Sequence, residues 1–211
     1  TGSLEEDMSL LRQLTQEGLA YRYGNEPNNH SVIEERIQKE LEIIEQKNFV
    51  SYFLINWDIT QFARDRGYYY VGRGSGANSV IAYLLRITDV DPIELDLYFE
   101  RFLNPHRSSP PDFDIDFSWK DRDEVIDYVY KRYGKGHTAL LATYNTFQGR
   151  SIIRELGKVF GLPKTEIDKL VERANPEETP DKIERLIYRY GKLMENLPNH
   201  LGIHPGGILI T

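Results

Sequence analysis

The segment that most constrains the fold is Pro110-Pro111-Asp112-Phe113-Asp114-Ile115-Asp116-Phe117, in which carboxylates alternate with large apolar residues. Side chains of a β-strand alternate between two faces. On a strand the three aspartates therefore share one face, while Phe113, Ile115 and Phe117 pack into a core behind it. On a helix the same residues would spread around more than one turn, and neither set would form a continuous face. We predict a strand with one acidic face.

Three carboxylates on one face repel each other, and a bound cation relieves that repulsion. Hard divalent ions such as Mg²⁺ prefer carboxylate oxygen ligands, so the acidic face predicts a metal site. An exposed acidic edge strand that discourages aggregation is the alternative. A calcium loop of the EF-hand type is excluded, because its sixth position must be glycine and is Phe117 in this chain.

Composition narrows the class of protein. The 211 residues carry a net charge of −7, 40% of them are hydrophobic, and none is cysteine. We expect a proper core and an intracellular, cytoplasmic protein without disulfides or thiolate metal sites. The negative charge argues against binding nucleic acid through bulk charge, but it allows a local basic surface. No apolar run reaches the length of a membrane span and no signal peptide heads the chain, so we expect no membrane partner.

Hydrophobic periodicity and helix-ending residues predict an alternation of helices and short strands. One helix is predicted to start at a capping box at Ser31. Other helices are predicted over residues 4–23, 52–66, 92–97, 121–133, 146–160, 164–173 and 183–194. Strands are predicted over residues 68–71, 112–117, 137–144 and 208–211. The order indicates an α/β protein with a helical part over roughly residues 146–200.

The glycine-rich segment Gly72-Arg73-Gly74-Ser75-Gly76-Ala77-Asn78-Ser79 lies between a predicted strand and a helix predicted over 80–85. Glycines let the backbone approach an anion, and free N–H groups at a helix start point at it, so we predict a phosphate cradle. A tight turn that merely needs glycine is the alternative. The segment also fits the dinucleotide-binding pattern G-x-G-x-x-A, but no repeating βαβ pattern follows, which argues against that fold.

Three cations form a basic stripe on the helix predicted over 146–160. They are Arg150, Arg154 and Lys158, which recur every four residues and so share a face. Contact with phosphates and a merely solvated face both remain open for this basic stripe.

A phosphate cradle and a strand with paired carboxylates are the parts that nucleotidyl transfer needs. Two carboxylates can bridge two divalent ions, one acting on the attacking hydroxyl and the other on the triphosphate. Arg101 could add a fixed positive charge at such a site.

The motifs resemble those of a known family. Residues 52–55, 72–77, 87–92, 99–105 and 111–117 resemble the palm of the bacterial replicative DNA polymerase III alpha subunit, the C family of DNA polymerases. Residues 153–157 resemble the start of its thumb, and His204-Pro205-Gly206-Gly207 resembles its H-A-G-G return to the palm, with proline replacing alanine. The resemblance runs from about residue 4 to residue 211.

This resemblance implies an α/β (α+β) fold. A polymerase-beta-like nucleotidyltransferase palm would occupy residues 1–145, an α-helical thumb residues 146–200, and the start of the return strand residues 201–211. The implied activity is that of a DNA-directed DNA polymerase, which transfers nucleotides from deoxynucleoside triphosphates to the primer 3′-hydroxyl on primer-template DNA. The implied cofactor is Mg²⁺, two ions, with Mn²⁺ as a substitute.

The family pattern also implies roles for individual residues. Its first two acids on the strand are the catalytic, metal-binding pair, which carries over to Asp112 and Asp114, and it leaves Asp116 without an assigned role. A glycine-serine signature that binds the triphosphate carries over to Gly74 and Ser75. The implied nucleotide-binding arginines are Arg73 and Arg101. The implied DNA-binding cations are those of the basic stripe, Arg150, Arg154 and Lys158.

The chain departs from the family pattern in ways that bear on activity. The family's third catalytic aspartate follows its H-A-G-G segment, and neither it nor the phosphoesterase-like and fingers domains are found in this sequence. We therefore expect a palm-and-thumb fragment, inactive by itself, with other replisome subunits contacting regions absent from it. A nucleic-acid-binding or structural module with a non-catalytic palm is the alternative. A stand-alone nucleotidyltransferase acting on a small molecule or RNA would need a third carboxylate, and the strand at 137–144 has none.

Overall fold

A computed structural model describes residues 2–24, 30–104, 106, 111–173 and 180–211 of the chain. These residues form two compact units, Thr1–Gly134 and Lys135–Thr211. Pro110 and most of the loops expected around residues 25–29, 105–110 and 175–181 lie outside the described residues.

The first unit packs helices around two short paired strands. Its helices are α1 (Leu4–Tyr23), α2 (His30–Gln46), α3 (Val50–Asp65), α4 (Val80–Leu84) and α5 (Arg122–Tyr133). Its strands are β1 (Tyr70–Arg73) and β2 (Asp114–Phe117), and 3-10 helices cover Gly74–Asn78 and Phe99–Arg101. Fully buried aromatic rings fill the centre, namely those of Phe53, Phe99 and Phe102.

Several predicted helix boundaries in the first unit are confirmed and two predictions are wrong. Helix α1 has its predicted bounds, and Gly67 (φ 71°) follows the last turn of α3. The capping box at Ser31 is wrong, because α2 already includes His30. The helix predicted over 92–97 is a series of turns, since Asp96 has a φ of 49° that ends helical bonding.

The two strands of the first unit are antiparallel. Tyr70 pairs with Phe117, Val71 with Asp116, Gly72 with Ile115, and Arg73 with Asp114. This pairing is not the parallel arrangement of a dinucleotide-binding fold. The predicted acidic strand is confirmed from Asp114 onward, whereas Asp112 and Phe113 precede it.

The apolar side of the acidic segment packs as predicted. Phe113 and Ile115 contact the core cluster of the first unit, and the ring of Phe117 lies 5.9 Å from that of Tyr70. The Phe113 N–H donates to the Tyr52 hydroxyl at 2.9 Å, and the two rings stack at 5.4 Å. Helix α3, which carries Tyr52, therefore fixes where the acidic strand begins.

The second unit combines a two-stranded ribbon with three helices. Its elements are β3 (Thr138–Thr146), α6 (Gly149–Val159), α7 (Lys164–Glu172), α8 (Lys182–Met194) and β4 (Pro198–Ile210). Helix α6 starts later than predicted, because β3 continues to Thr146 and Gln148 caps the helix. Ile152, Leu156, Leu170 and Ile187 form the core of these helices.

Strands β3 and β4 pair antiparallel over most of their length. Strand β4 starts at Pro198 rather than at residue 208 as predicted, so it includes residues 204–207. They form a bulge, since Ile203 pairs with Ala142 and Ile208 with Leu140, leaving four residues opposite Leu141. The predicted palm–thumb boundary at residue 145 falls inside β3.

Two small antiparallel sheets among eight helices are compatible with the predicted α/β class, for the part of the chain that the structure describes. Within the same residues, no helix has the length and apolar character needed to cross a membrane.

Candidate functional site

The exposed face of the β1–β2 pair brings Arg73 together with two of the three aspartates. Arg73 is the register partner of Asp114, and directly opposed residues of antiparallel strands share a face. The Arg73 Nε–H donates to Asp116 Oδ2 at 2.6 Å, and its Nη1 lies 3.4 Å from Asp114 Oδ2. The hydrogen bond with Asp116, followed by the charges of Asp116 and Asp114, raises the pKa of Arg73 above its usual range. Arg73, Asp114 and Asp116 thus form an ion-paired cluster on this face.

Gly74 is the point where the glycine-rich segment meets the acidic strand. Its φ is 71°, and a β-carbon there would lie 2.5 Å from Asp114 Oδ2. Only glycine gives this backbone conformation while leaving the space that the carboxylate occupies. The other two glycines serve packing, because β-carbons would lie 2.0 Å from the Ile87 carbonyl oxygen at Gly72 and 2.6 Å from the Phe113 ring at Gly76.

Ser75 is held by hydrogen bonds inside its own 3-10 helix. The Asn78 side-chain amide donates to the Ser75 carbonyl at 2.9 Å, and Arg36 of α2 donates to the Asn78 carbonyl at 2.9 Å. Asn78 is buried, and its Oδ1 has no hydrogen-bond partner in the described structure. Ser75 itself is half-buried. Helix α2 therefore fixes the Gly74–Asn78 turn through the hydrogen bond from Arg36.

The start of α4 does not offer the free N–H groups that the sequence predicted. The buried carboxylate of Glu40 accepts hydrogen bonds from the N–H groups of Val80 (3.0 Å) and Ile81 (3.2 Å) and from the Ser79 hydroxyl (2.7 Å). The helix start already holds an anion from its own chain. This part of the predicted phosphate cradle is wrong, and what remains is the segment from Arg73 to Ser75.

Glu40 is the important residue that the sequence analysis missed. Its partner on the same helix is Arg36, whose Nε–H donates to Glu40 Oε1 at 2.7 Å. Burial raises the pKa of Glu40 above its usual range, while the bond from Val80 and the charge of Arg36 oppose this rise. The sequence contains a sign of this burial. Glu40 follows Ile37 by three residues and precedes Ile44 by four, so it lies inside the apolar stripe of α2.

The remaining predicted residues of the first unit lie around this cluster. Asp112 is exposed and lies two residues before Asp114, the first residue of β2. Arg101 is exposed on the Phe99–Arg101 3-10 helix, which packs against the Gly74–Asn78 helix. In the described residues, no group of three or more acidic or histidine side chains is arranged to hold a metal ion.

In the second unit, two of the three cations of the basic stripe are ion-paired. Arg154 Nη1 lies 3.1 Å from Asp168 Oδ1 of α7, and Lys158 Nζ lies 2.7 Å from Glu155 Oε1. Arg150 is exposed, and no ion pair joins it to any residue that the structure describes. The side chains of Arg154 and Lys158 also line a shallow hollow with Lys164.

Comparison with known proteins bears on these motifs. The model of the family described as "Bacterial DNA polymerase III alpha NTPase domain" matches residues 9–211. The chain belongs to this family. The resemblance inferred from the sequence motifs is therefore confirmed, and the matched range includes both the β1–β2 pair and the β3–β4 ribbon.

Curated relatives of the chain are named "Error-prone DNA polymerase". Those from Anaeromyxobacter sp. (strain K), Symbiobacterium thermophilum and Pseudomonas syringae pv. tomato are 38%, 40% and 39% identical, over 97%, 95% and 96% of this chain. The aligned region covers 19%, 20% and 21% of these relatives, so the chain spans about a fifth of their length. The match to these relatives thus concerns one section of their length.

Proposed function

We propose that the chain is the palm-and-thumb portion of a DNA-directed DNA polymerase. It would take part in template-directed transfer of nucleotides from deoxynucleoside triphosphates to a primer 3′-hydroxyl. The observation that carries this proposal is the pairing of Arg73 and Gly74 with Asp114, in a chain that belongs to the polymerase III alpha family. Its relatives, named as error-prone polymerases, favour that activity for the whole protein.

The donor chemistry of the site fits Mg²⁺. This ion is commonly bound in polymerase-type sites by one or two carboxylates together with substrate phosphates, rather than by an all-protein cage. Asp112 and Asp114 would supply the carboxylates, and the missing β-carbon at Gly74 leaves room for the Asp114 carboxylate. When bound, two such ions would supply activation of the primer hydroxyl and neutralisation of triphosphate charge.

The chain's own residues would orient the triphosphate. Gly74 and Ser75 would present backbone N–H groups to its oxygens, and the guanidinium groups of Arg73 and Arg101 would add fixed positive charge. The helix start at Val80 would not contribute, because Glu40 occupies it. The polymerase-beta-like palm would thus bind nucleotide through the turn itself.

The helices of the second unit would form the thumb. The basic stripe on α6 would contact the phosphate backbone of primer-template DNA, with Arg150 as its least encumbered cation. Such contacts carry no sequence information, as a polymerase that copies any template requires.

A Mn²⁺ titration tests the proposed function. Metal binding to the 211-residue chain would be followed with and without a deoxynucleoside triphosphate, in the unaltered chain and in the Asp112→Asn/Asp114→Asn double variant. We expect the nucleotide to tighten Mn²⁺ binding in the unaltered chain only, because the ion would bridge the carboxylates and the phosphates.

A matched double variant controls for lost charge. Asp123→Asn/Asp127→Asn removes two exposed acids from α5 in the same unit and should leave the titration unchanged. Equal binding in the chain and in the Asp112→Asn/Asp114→Asn variant would overturn the assignment of these aspartates. It would instead favour a non-catalytic nucleic-acid-binding or structural module.

A further inference from the structure

We infer that Asp116 is a positioning residue, which holds Arg73 beside the metal-binding carboxylate rather than binding metal itself. This inference rests on the proposed function and deepens it. The sequence and the family pattern leave Asp116 without a role, although it shares a face with Asp114.

The contacts of Arg73 are unequal. Its bond to Asp116 is 2.6 Å long, within the range of a charge-assisted hydrogen bond, whereas its approach to Asp114 is 3.4 Å. Asp116 is therefore the closer partner of the guanidinium, and Asp114 is the more distant one. Asp116 Oδ2 accepts this bond, so the Arg73 guanidinium lies where a metal ion would have to bind this oxygen.

Spacing along the strand separates the two acids. Residues two apart on a strand lie about 6.6 Å from each other. Asp116 lies one such step beyond Asp114, on the side away from Asp112. A metal ion held between Asp112 and Asp114 would thus be nearer to them than to Asp116.

An anchored Arg73 has two consequences for the site. The strong partner at Asp116 keeps the guanidinium from closing onto Asp114, so that carboxylate stays available to a cation. Holding the long side chain also reduces the conformational freedom it would lose on meeting a triphosphate. The contacts of Arg73 with the described aspartates are made by Nε and Nη1, so Nη2 can donate to an anion.

The test compares Asp116→Asn with Asp114→Asn in the 211-residue chain. We expect Asp116→Asn to retain Mn²⁺ binding but to weaken deoxynucleoside triphosphate binding about three- to fivefold, the size typical of an exposed ion pair. Asp114→Asn should weaken Mn²⁺ binding itself. Urea unfolding of each variant checks that both remain folded.

A double-variant cycle separates positioning from other roles. In an Arg73→Gln background, Asp116→Asn should have no further effect on triphosphate binding, since the residue it positions is gone. A nuclear magnetic resonance measurement needs no ligand at all. The Arg73 Nε–H should exchange slowly with water in the unaltered chain and rapidly in Asp116→Asn.

The outcomes distinguish this inference from the proposed function. If Asp116→Asn abolishes Mn²⁺ binding as Asp114→Asn does, Asp116 is a metal ligand, and the inference fails while the function stands. An additive cycle, or an Arg73 Nε–H exchange rate that Asp116→Asn leaves unchanged, also overturns it. If the unaltered chain binds neither Mn²⁺ nor triphosphate, the proposed function fails, and Asp116 then has no nucleotide site to position.

Discussion

Glu40 on α2 and Ser79 at the cap of α4 are joined by a buried hydrogen bond of 2.7 Å, donated by the serine hydroxyl. Ser79 also accepts a hydrogen bond from the Ala82 N–H, so one hydroxyl links the carboxylate to the first turn of α4. The segment from Gly74 to Asn78, immediately before Ser79, is therefore anchored to α2 at its end. The geometry of the candidate site depends on a residue that takes no part in it.

Replacing Glu40 with alanine should destabilise the first unit strongly. The change leaves the Arg36 charge and the N–H groups of Val80 and Ile81 without their buried acceptor. Breaking a buried ion pair in this way costs about 3–5 kcal/mol. Urea unfolding measures the loss, with the exposed Glu42→Ala on the same helix as the control. A loss as small as that of Glu42→Ala would contradict the role given to Glu40.

Replacing Gly74 with alanine should displace the Asp114 carboxylate, because the new β-carbon would meet its oxygen at 2.5 Å. Gly67→Ala is a matched control, since Gly67 has the same φ of 71° but no atom within 4 Å of the added carbon. Both variants should lose about 1–2 kcal/mol through backbone strain. Only Gly74→Ala should weaken Mn²⁺ binding as well, and equal Mn²⁺ binding in the two variants would speak against the site.

Stability should fall between pH 10 and pH 12 through Tyr128. Burial and the hydrogen bond it donates to Asp58 raise the pKa of Tyr128 from 10.0 to about 12. The unfolded chain releases this proton near the ordinary value while the folded chain keeps it, so rising pH favours unfolding. Urea unfolding at several pH values measures the effect. Tyr128→Phe should show a smaller loss over this window, and an identical loss would exclude Tyr128 as a cause.

Replacing Arg150 with alanine should weaken binding of the chain to duplex DNA. The slope of log affinity against log salt concentration should become shallower by about one, as expected for one lost phosphate contact. The control is Arg189→Ala, which removes an exposed arginine from α8. Titrations of labelled duplex at several salt concentrations give both slopes, and equal changes would mean that the basic stripe has no special role.

Local periodicity was enough to predict the elements that surround the site. The strand from Asp114 to Phe117 followed from alternation alone, and so did its burial of Ile115, because a period of two fixes which face is apolar. The capture of the α4 start by Glu40 could not be predicted with the same rules. It joins residues about 40 positions apart, and such a contact depends on tertiary packing rather than on local pattern.

The bulge at residues 204–207 changes which side chains of β4 face the same way. Ile203 and Ile208 are five positions apart, an odd number, and in an unbroken strand they would point to opposite faces. Because they pair with Ala142 and Leu140, which lie two apart on β3, they share one face. The bulge thus keeps the apolar side chains before it and after it on the same face of β4. Deleting three of its four residues would leave one residue opposite Leu141, and Ile203 and Ile208 would then lie two apart and share a face without a bulge.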